Sequence, residues 1–154
     1  MTNGTEIDID FLLLADGAEA VGGKLYILGG GWTHLFVPEV PGPPFAPFAV
    51  ALGVAVPYHS TNRRFTFTLE LTDADGNRVG DVMTGEFEQG RPPGIRPGAS
   101  QPILLAVNAR PEFPAAGRYT FTALIDDRPM RSVSFEVVEQ AADQPGQPAD
   151  QADG

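Results

Sequence analysis

The sequence predicts an all-β fold: an antiparallel two-sheet sandwich, immunoglobulin-like or jelly-roll-like, with about eight strands. Three observations lead to this prediction. Several short segments alternate apolar and polar residues, which is the pattern of a half-buried strand. Glycine and proline account for 18 and 15 of the 154 residues, and both destabilise the interior of a helix. No long segment shows the apolar spacing of an amphipathic helix.

Two hairpins are the clearest elements of the predicted sandwich. One combines a strand at 65–72 with a second strand at 79–88, across a turn rich in Asp and Gly. The other joins strands at 119–126 and 132–137 through a turn at 127–129. In each strand the apolar residues fall on alternate positions, so one face is expected to pack on the core.

Four other segments are apolar on both faces, and a strand of this kind must be covered on both sides. They lie at 11–14, 25–28, 48–56 and 101–107. In the third segment one face carries large apolar residues and the opposite face carries only small ones, which are Ala49, Ala51, Gly53 and Ala55. Because small side chains allow a second layer or another subunit to approach closely, we predict an interface at these four residues.

Some segments come close to known binding motifs, but each is better explained as a turn. Residues 18–25 approach a phosphate-binding loop, yet they lack its first glycine and the Ser or Thr after Lys24. We therefore expect a hairpin turn at Gly22 and Gly23. Residues 73–84 begin like a calcium loop but lack its glycine and its final Glu. The sequence thus predicts no metal site, no cofactor and no catalytic residue.

Five residues are candidates for binding a small ligand. Arg63 and Arg64 follow His59 in one polar loop, and Arg91 lies in a second, proline-rich loop. Arginine side chains suit carboxylate and phosphate groups, so loops that meet at one end of the sandwich would frame an anion pocket. Trp32 offers an aromatic platform for a sugar. The alternative for the arginines is pairing with nearby carboxylates, and the alternative for Trp32 is a place in the core with its N–H bonded.

Composition and charge exclude several classes of protein. The chain has 20 acidic and 10 basic residues, for a net charge of −10, whereas a nucleic-acid binder requires a basic face. Without cysteine there is no disulfide framework and no thiolate metal site. No apolar run is long enough for a signal peptide or a membrane helix, so we expect a cytoplasmic protein without a membrane partner. Residues 139–154 lack aromatic residues, and we expect a disordered acidic tail there, after a β-sandwich domain at 1–138.

Three blocks of sequence carry a resemblance to a known family. They read LLLAD followed by GKLYILGGGW at 12–32, NRRF followed by LELTD at 62–73, and GEFE followed by GRPPG at 85–94. With these blocks the chain resembles an uncharacterised family of small bacterial β-sandwich proteins that is common in actinobacteria. The resemblance implies a sandwich over about residues 11–138 and a bacterial cytosolic origin, and it implies no activity.

The leading functional hypothesis is a non-enzymatic β-sandwich that acts by self-association, as a homo-oligomer, or by binding another protein. A small chain has few ways to cover so many two-faced strands, which favours an interface. The alternative is a module that binds a small anion or sugar, with Trp32, Arg63, Arg64 and Arg91 in its pocket. A third hypothesis is a hydrolase-like enzyme that uses His59 with a nearby carboxylate.

Overall fold

The structure, a computed structural model, describes residues 6–90 and 100–141. These residues form nine strands and one short 3-10 turn at Tyr58–Ser60. The strands are β1 (Asp8–Val21), β2 (Lys24–Gly30), β3 (His34–Val37), β4 (Phe48–Pro57), β5 (Arg64–Asp73), β6 (Met83–Glu88), β7 (Ser100–Ala109), β8 (Gly117–Ile125) and β9 (Arg128–Glu139). No helix within these ranges is long and apolar enough to cross a membrane.

The strands form two sheets, with the orders β2-β1-β4-β7 and β3-β9-β8-β5-β6. Neighbouring strands are antiparallel, except that β3 pairs with β9 in parallel. The prediction of an all-β, two-sheet sandwich is confirmed, with nine strands in the described ranges where about eight were expected. The additional strand is β3, which has only four residues. A segment this short does not show a recognisable alternation, so the sequence pattern does not predict it.

The first predicted hairpin is present as β5 and β6. β6 begins at Met83, later than the predicted Val79, because the chain changes direction at Gly80. This glycine has a φ of +73°, which lies outside the extended conformation of a strand. Before that point Val79 still donates its N–H to the carbonyl of Leu71, at 2.8 Å.

The second predicted hairpin, β8 and β9, is also present. Its turn consists of Asp126 and Asp127, with φ values of +50° and +67°, as expected for the two central residues of a tight hairpin turn. Arg128 and Pro129, predicted in the turn, therefore already belong to β9, and Asp126, predicted in the strand, belongs to the turn. The predicted turn between β1 and β2 is confirmed, since Gly22 and Gly23 have φ values of +60° and +76°.

The core lies between the two sheets and is rich in aromatic rings. The large-residue face of β4, from Phe48 to Val56, points into it and is buried. The Phe48 ring lies edge-on to Phe121 and Phe135, with centroids 6.1 and 6.2 Å away. Phe121 and Phe135 stack on each other at 5.8 Å. Such aromatic pairs add ~0.5–1.5 kcal/mol each beyond the burial of their surface.

A tyrosine near the start of β8 ties the preceding loop to the sandwich. The Tyr119 hydroxyl donates to the carbonyl oxygen of Ala115 at 2.6 Å and accepts from the N–H of Ala115 at 3.3 Å. Its ring packs on Phe113, with the centroids 4.9 Å apart. A tyrosine that bonds to the backbone a few residues upstream of this strand is a hallmark of the immunoglobulin-like sandwich. The fold is therefore immunoglobulin-like.

Candidate functional site

The two described arginines of the predicted anion pocket are both paired with carboxylates. Arg63 Nη2 lies 2.5 Å from Asp126 Oδ2. The guanidinium of Arg64 lies 3.9 Å from Glu86 and 4.0 Å from Glu88 across the β5–β6 hairpin. These contacts correspond to the alternative of local pairing. The third arginine, Arg91, lies outside the described residues.

Asp126 is held in place by the hairpin turn that carries it. Its Oδ1 accepts the N–H of Thr66 at 3.0 Å, and its own N–H donates to the carbonyl of Thr66 at 2.9 Å. The Thr66 backbone hydrogen bond and, after it, the Arg63 guanidinium lower the pKa of Asp126. A cavity of about 250 Å³ beside this pair is lined by acidic as well as basic groups, including Glu6 and Arg128. Because its charges are mixed, this cavity has no net positive character that would select an anion.

Trp32 and His59 lie at opposite ends of the sandwich. Trp32 packs edge-on against Phe48, at 5.6 Å, where β4 begins. His59 is exposed in the 3-10 turn directly after β4 ends at Pro57. At ~3.3 Å per strand residue, about 30 Å separates the two ends of β4. The described structure therefore does not bring the predicted ligand residues into one site.

The indole of Trp32 also departs from its expected environment. The side chain is half-buried within the aromatic cluster, as predicted for a core residue. Its Nε1 atom is buried, however, and the described residues supply no acceptor for the N–H. The expectation of a bonded indole N–H is therefore not met.

The small face of β4 is largely buried, and at Gly53 it is covered by a side chain of its own sheet. Three of its residues are buried and the last is half-buried; in order they are Ala49, Ala51, Gly53 and Ala55. Phe11 of β1 and Leu104 of β7 lie opposite Gly53 on either side. A Cβ atom at Gly53 would lie 2.5 Å from Cε2 of the Phe11 ring, so this ring fills the space that the missing side chain leaves. A partner that approached this face at Gly53 would therefore contact the Phe11 ring first.

The most exposed apolar surface lies instead on the hairpin formed by β1 and β2. β2 is the outer strand of its sheet and pairs only with β1 among the described strands. Four side chains are 51, 57, 40 and 75% exposed, and they belong to Val21, Tyr26, Ile27 and Leu28. We call residues 21–30 the hairpin edge. The segment 25–28 is apolar on both faces, so both faces are expected to be buried. In the described residues much of the surface of this segment is exposed to solvent.

The sequence model of one protein family, described as a family of unknown function (DUF6941), matches residues 10–138. This chain belongs to the DUF6941 family. The matched range includes all of β2 to β8 and most of β1 and β9, which agrees with the resemblance to an uncharacterised family. No curated protein sequence matches the DUF6941 chain.

Two solved structures are similar to this DUF6941 protein. The alkylpurine DNA glycosylase AlkC of Pseudomonas fluorescens, bound to DNA containing an abasic site analogue, has a TM-score of 0.52 at 14% identity. That match covers 86% of the DUF6941 chain and 30% of the glycosylase chain, so the chain spans less than a third of that enzyme. An immunoglobulin-like protein of Pseudomonas aeruginosa has a TM-score of 0.42 at 18% identity, with 89% and 100% of the two chains covered. At such identities the likeness concerns the fold alone.

The sheet edges of the DUF6941 sandwich differ in how they are protected. Charged side chains, proline and short length keep an edge strand from pairing with other chains. β3 is only four residues long, β6 carries Glu86 and Glu88, and β7 contains Pro102. β2 has one charged residue, Lys24, at its first position, and its centre is apolar. The centre of β7, at 103–107, is also uncharged and free of proline, but its side chains are half-buried, whereas those of β2 from Tyr26 to Gly30 are exposed. Among the edges in the described ranges, β2 is therefore the exposed one whose central residues lack these features.

Sequence reasoning recognised this apolar strand of the DUF6941 chain but not its exposed position. The missed residues are Val21, Tyr26, Ile27 and Leu28. A two-residue turn at Gly22 and Gly23 fixes one neighbour of β2, which is β1, and says nothing about the other side. One signal in the sequence could have indicated the exposed position. A tight turn guarantees that β2 pairs with β1 along one edge only, and the segment is apolar on both faces.

Proposed function

We propose that this protein is a non-enzymatic interaction module that binds another protein through the hairpin edge. The observation that carries the proposal is the exposure of Tyr26, Ile27 and Leu28 on an outer strand. Tyr26 and Leu28 adjoin on one face of the hairpin, and adjoining exposed apolar side chains mark interaction sites in soluble proteins. The net charge of −10 favours a protein partner over a nucleic acid, and the proposal includes a cytoplasmic location in a bacterium.

The non-enzymatic part of the proposal is supported by the environment of His59. Its ring is exposed and stands edge-on to the ring of Tyr58, with the centroids 6.1 Å apart. A catalytic imidazole needs a partner that orients it and a substrate site beside it. No ion pair or side-chain hydrogen bond seen in the described ranges holds His59.

Site-specific photocrosslinking in the cells that express the protein tests the proposed function. A benzoylphenylalanine at position 28 is expected to give a discrete crosslinked product with another protein. The same residue at Ser132, an exposed position of β9 in the other sheet, provides the matched control and is expected to give none. Tyr26→Ser should remove the product at position 28, because it takes away a neighbouring apolar contact. Equal products at both positions, or none at position 28, would contradict the proposal.

A second candidate function is the binding of a small apolar ligand at a different place. A cavity of about 270 Å³ opens between β5, β6 and β7, and its floor consists of the buried side chains of Leu69, Leu71 and Phe121. Apolar clefts with a few polar rim groups, here including Arg110, are the usual form of a ligand site. A thermal-shift screen of small aromatic and aliphatic compounds tests this function, since a ligand of the native state raises the Tm. Val107→Phe, which fills the cavity, should abolish any shift, and a screen without a shift would contradict this function.

A further inference from the structure

The backbone of β2 has hydrogen-bonding groups directed at its open side. In a hairpin with a two-residue turn, the residues that flank the turn form a hydrogen-bonded pair, and bonded and non-bonded pairs then alternate. Val21 and Lys24 flank the turn and lie opposite each other. The N–H and C=O groups of Leu25 and Ile27 therefore point away from β1, while those of Tyr26 point toward it. The open side of β2 thus presents a row of donors and acceptors with strand spacing.

The side chains along β2 are sorted between two faces. Tyr26 lies opposite Glu19, and Leu28 lies opposite Gly17, so these side chains share one face of the hairpin. Leu25 and Ile27 lie on the other face, and they are less exposed than Leu28. A strand added beside β2 would find apolar neighbours on both faces. Its own residues would then meet apolar side chains at successive positions, as in strand addition to an exposed sheet edge.

The size of the exposed surface favours one strand as the occupant. The four exposed fractions of the hairpin edge, at roughly 200 Å² for a large side chain, correspond to on the order of 400 Å² of apolar surface. A stable interface between two folded proteins buries about 800 Å² on each partner. The hairpin edge is therefore too small to hold a second folded copy by its side chains alone, and it matches a single extended segment.

Charge also distinguishes a second copy of the chain from a segment of another protein as the occupant of the hairpin edge. Each copy of the chain carries a net charge of −10, so two copies that approach at this edge repel each other. Asp16 and Glu19 of β1 are exposed on the same hairpin, and Lys24 is its one basic residue. A neutral or basic segment is favoured at such a surface, because opposite charges steer association and like charges oppose it.

We infer that β2 receives an extended, neutral-to-basic segment of another protein as an added strand, with apolar residues at alternate positions. This inference rests on the proposed function and specifies its partner. The added strand bonds to the N–H and C=O groups of Leu25 and Ile27, and its apolar side chains contact Tyr26 and Leu28. Main-chain bonds then supply affinity, and the apolar and charged positions supply specificity.

Selection from a random nine-residue peptide display library against the full chain tests the inference. We expect enriched peptides that alternate apolar residues with Thr, Lys or Arg. Ile27→Pro removes one N–H from the open side, where proline is tolerated on an edge strand, and Ile27→Ala is the matched control that keeps this N–H. The dissociation constant of an enriched peptide should rise at least tenfold more in Ile27→Pro than in Ile27→Ala. Peptides N-methylated at alternate residues provide a test without a protein variant, because only one of the two patterns should block binding.

Other results separate this inference from the proposed function. Equal weakening by Ile27→Pro and Ile27→Ala, together with tolerance of both N-methylation patterns, would overturn strand addition while the crosslink at position 28 persists. Enrichment of acidic peptides would overturn the charge assignment. A dimer in light scattering that Ile27→Pro dissociates would identify a second copy as the occupant and overturn the inference. A selection without enrichment would also overturn it, whereas failure of the crosslinking experiment would remove the proposed function itself.

Discussion

Gly53 in the centre of β4 offers a direct test of how the small face is filled. The ring of Phe11 lies over this glycine, and a Cβ at position 53 would lie 2.5, 3.0 and 3.2 Å from three carbons of the ring. Gly53→Ala therefore forces the Phe11 ring to move. Phe11 is half-buried, so the ring has room to swing outward, and it loses part of its packing when it does.

The expected change follows from two opposing contributions. Overpacking of a filled site costs ~1–3 kcal/mol. Replacing glycine by alanine in a strand returns ~0.5–1 kcal/mol, because alanine loses less conformational freedom on folding. We therefore expect Gly53→Ala to lower the free energy of unfolding by about 1 kcal/mol, or ~2–4 °C in Tm for a domain of this size. In the background of Phe11→Ala the same change should be neutral or slightly stabilising.

Urea unfolding of the four proteins in this double-mutant cycle measures the coupling between the two positions. Gly17→Ala is the control, since a Cβ at Gly17 meets no atom within 4 Å and its φ is not positive; it should leave the stability unchanged or raise it slightly. If Gly53→Ala costs the same with and without the Phe11 ring, within ~0.5 kcal/mol, then Phe11 does not fill the site and the account of the small face is wrong.

Three further substitutions test other contacts by equilibrium unfolding. Asp126→Asn removes the charge that pairs with Arg63; because the pKa of Asp126 is lowered in the folded state, its ionisation stabilises the fold above pH ~4, and this contribution is lost as the pH falls through the folded pKa. The variant should thus be less stable than the parent at pH 7, and this difference in the free energy of unfolding should shrink as the pH falls below ~4; a difference that grows on acidification would contradict this. Tyr119→Phe removes the hydroxyl that bonds to Ala115 and should lower the free energy of unfolding by ~1–3 kcal/mol. An unchanged free energy of unfolding would show that these hydrogen bonds do not stabilise the loop before β8. Trp32→Phe removes a buried N–H that has no described acceptor and should cost well under the ~3–5 kcal/mol of an aromatic-to-alanine change; a loss that large would indicate a bonded N–H.

The sequence predicts those parts of the fold in which local chemistry alone decides the structure. The alternating strands and the turn at Gly22 and Gly23 are of this kind. The limits of β6 depended on the φ value of Gly80, which the residue type permits but does not require. The pairing of Arg63 with Asp126, 63 residues later in the chain, depends on which strands become neighbours. The periodicity of a segment does not show which strands become its neighbours. The sequence pattern therefore could not predict which carboxylates the arginines of the suggested anion site would meet.

Because the sequence pattern does not show which strands become neighbours, it also cannot distinguish two similar segments of which one is buried and the other exposed. The segments 25–28 and 48–56 are both apolar on both faces, and the sequence demands cover for each. β4 is covered on both faces, because it lies between β1 and β7, its large side chains point into the core and the Phe11 ring lies over Gly53 on its small face. β2 lies at the edge, and its exposed Leu28 shows that the demand is not met by the described chain. Exposed apolar residues on an edge strand favour association with other chains unless they are protected, and their presence at β2 is the observation that supports the proposed binding partner.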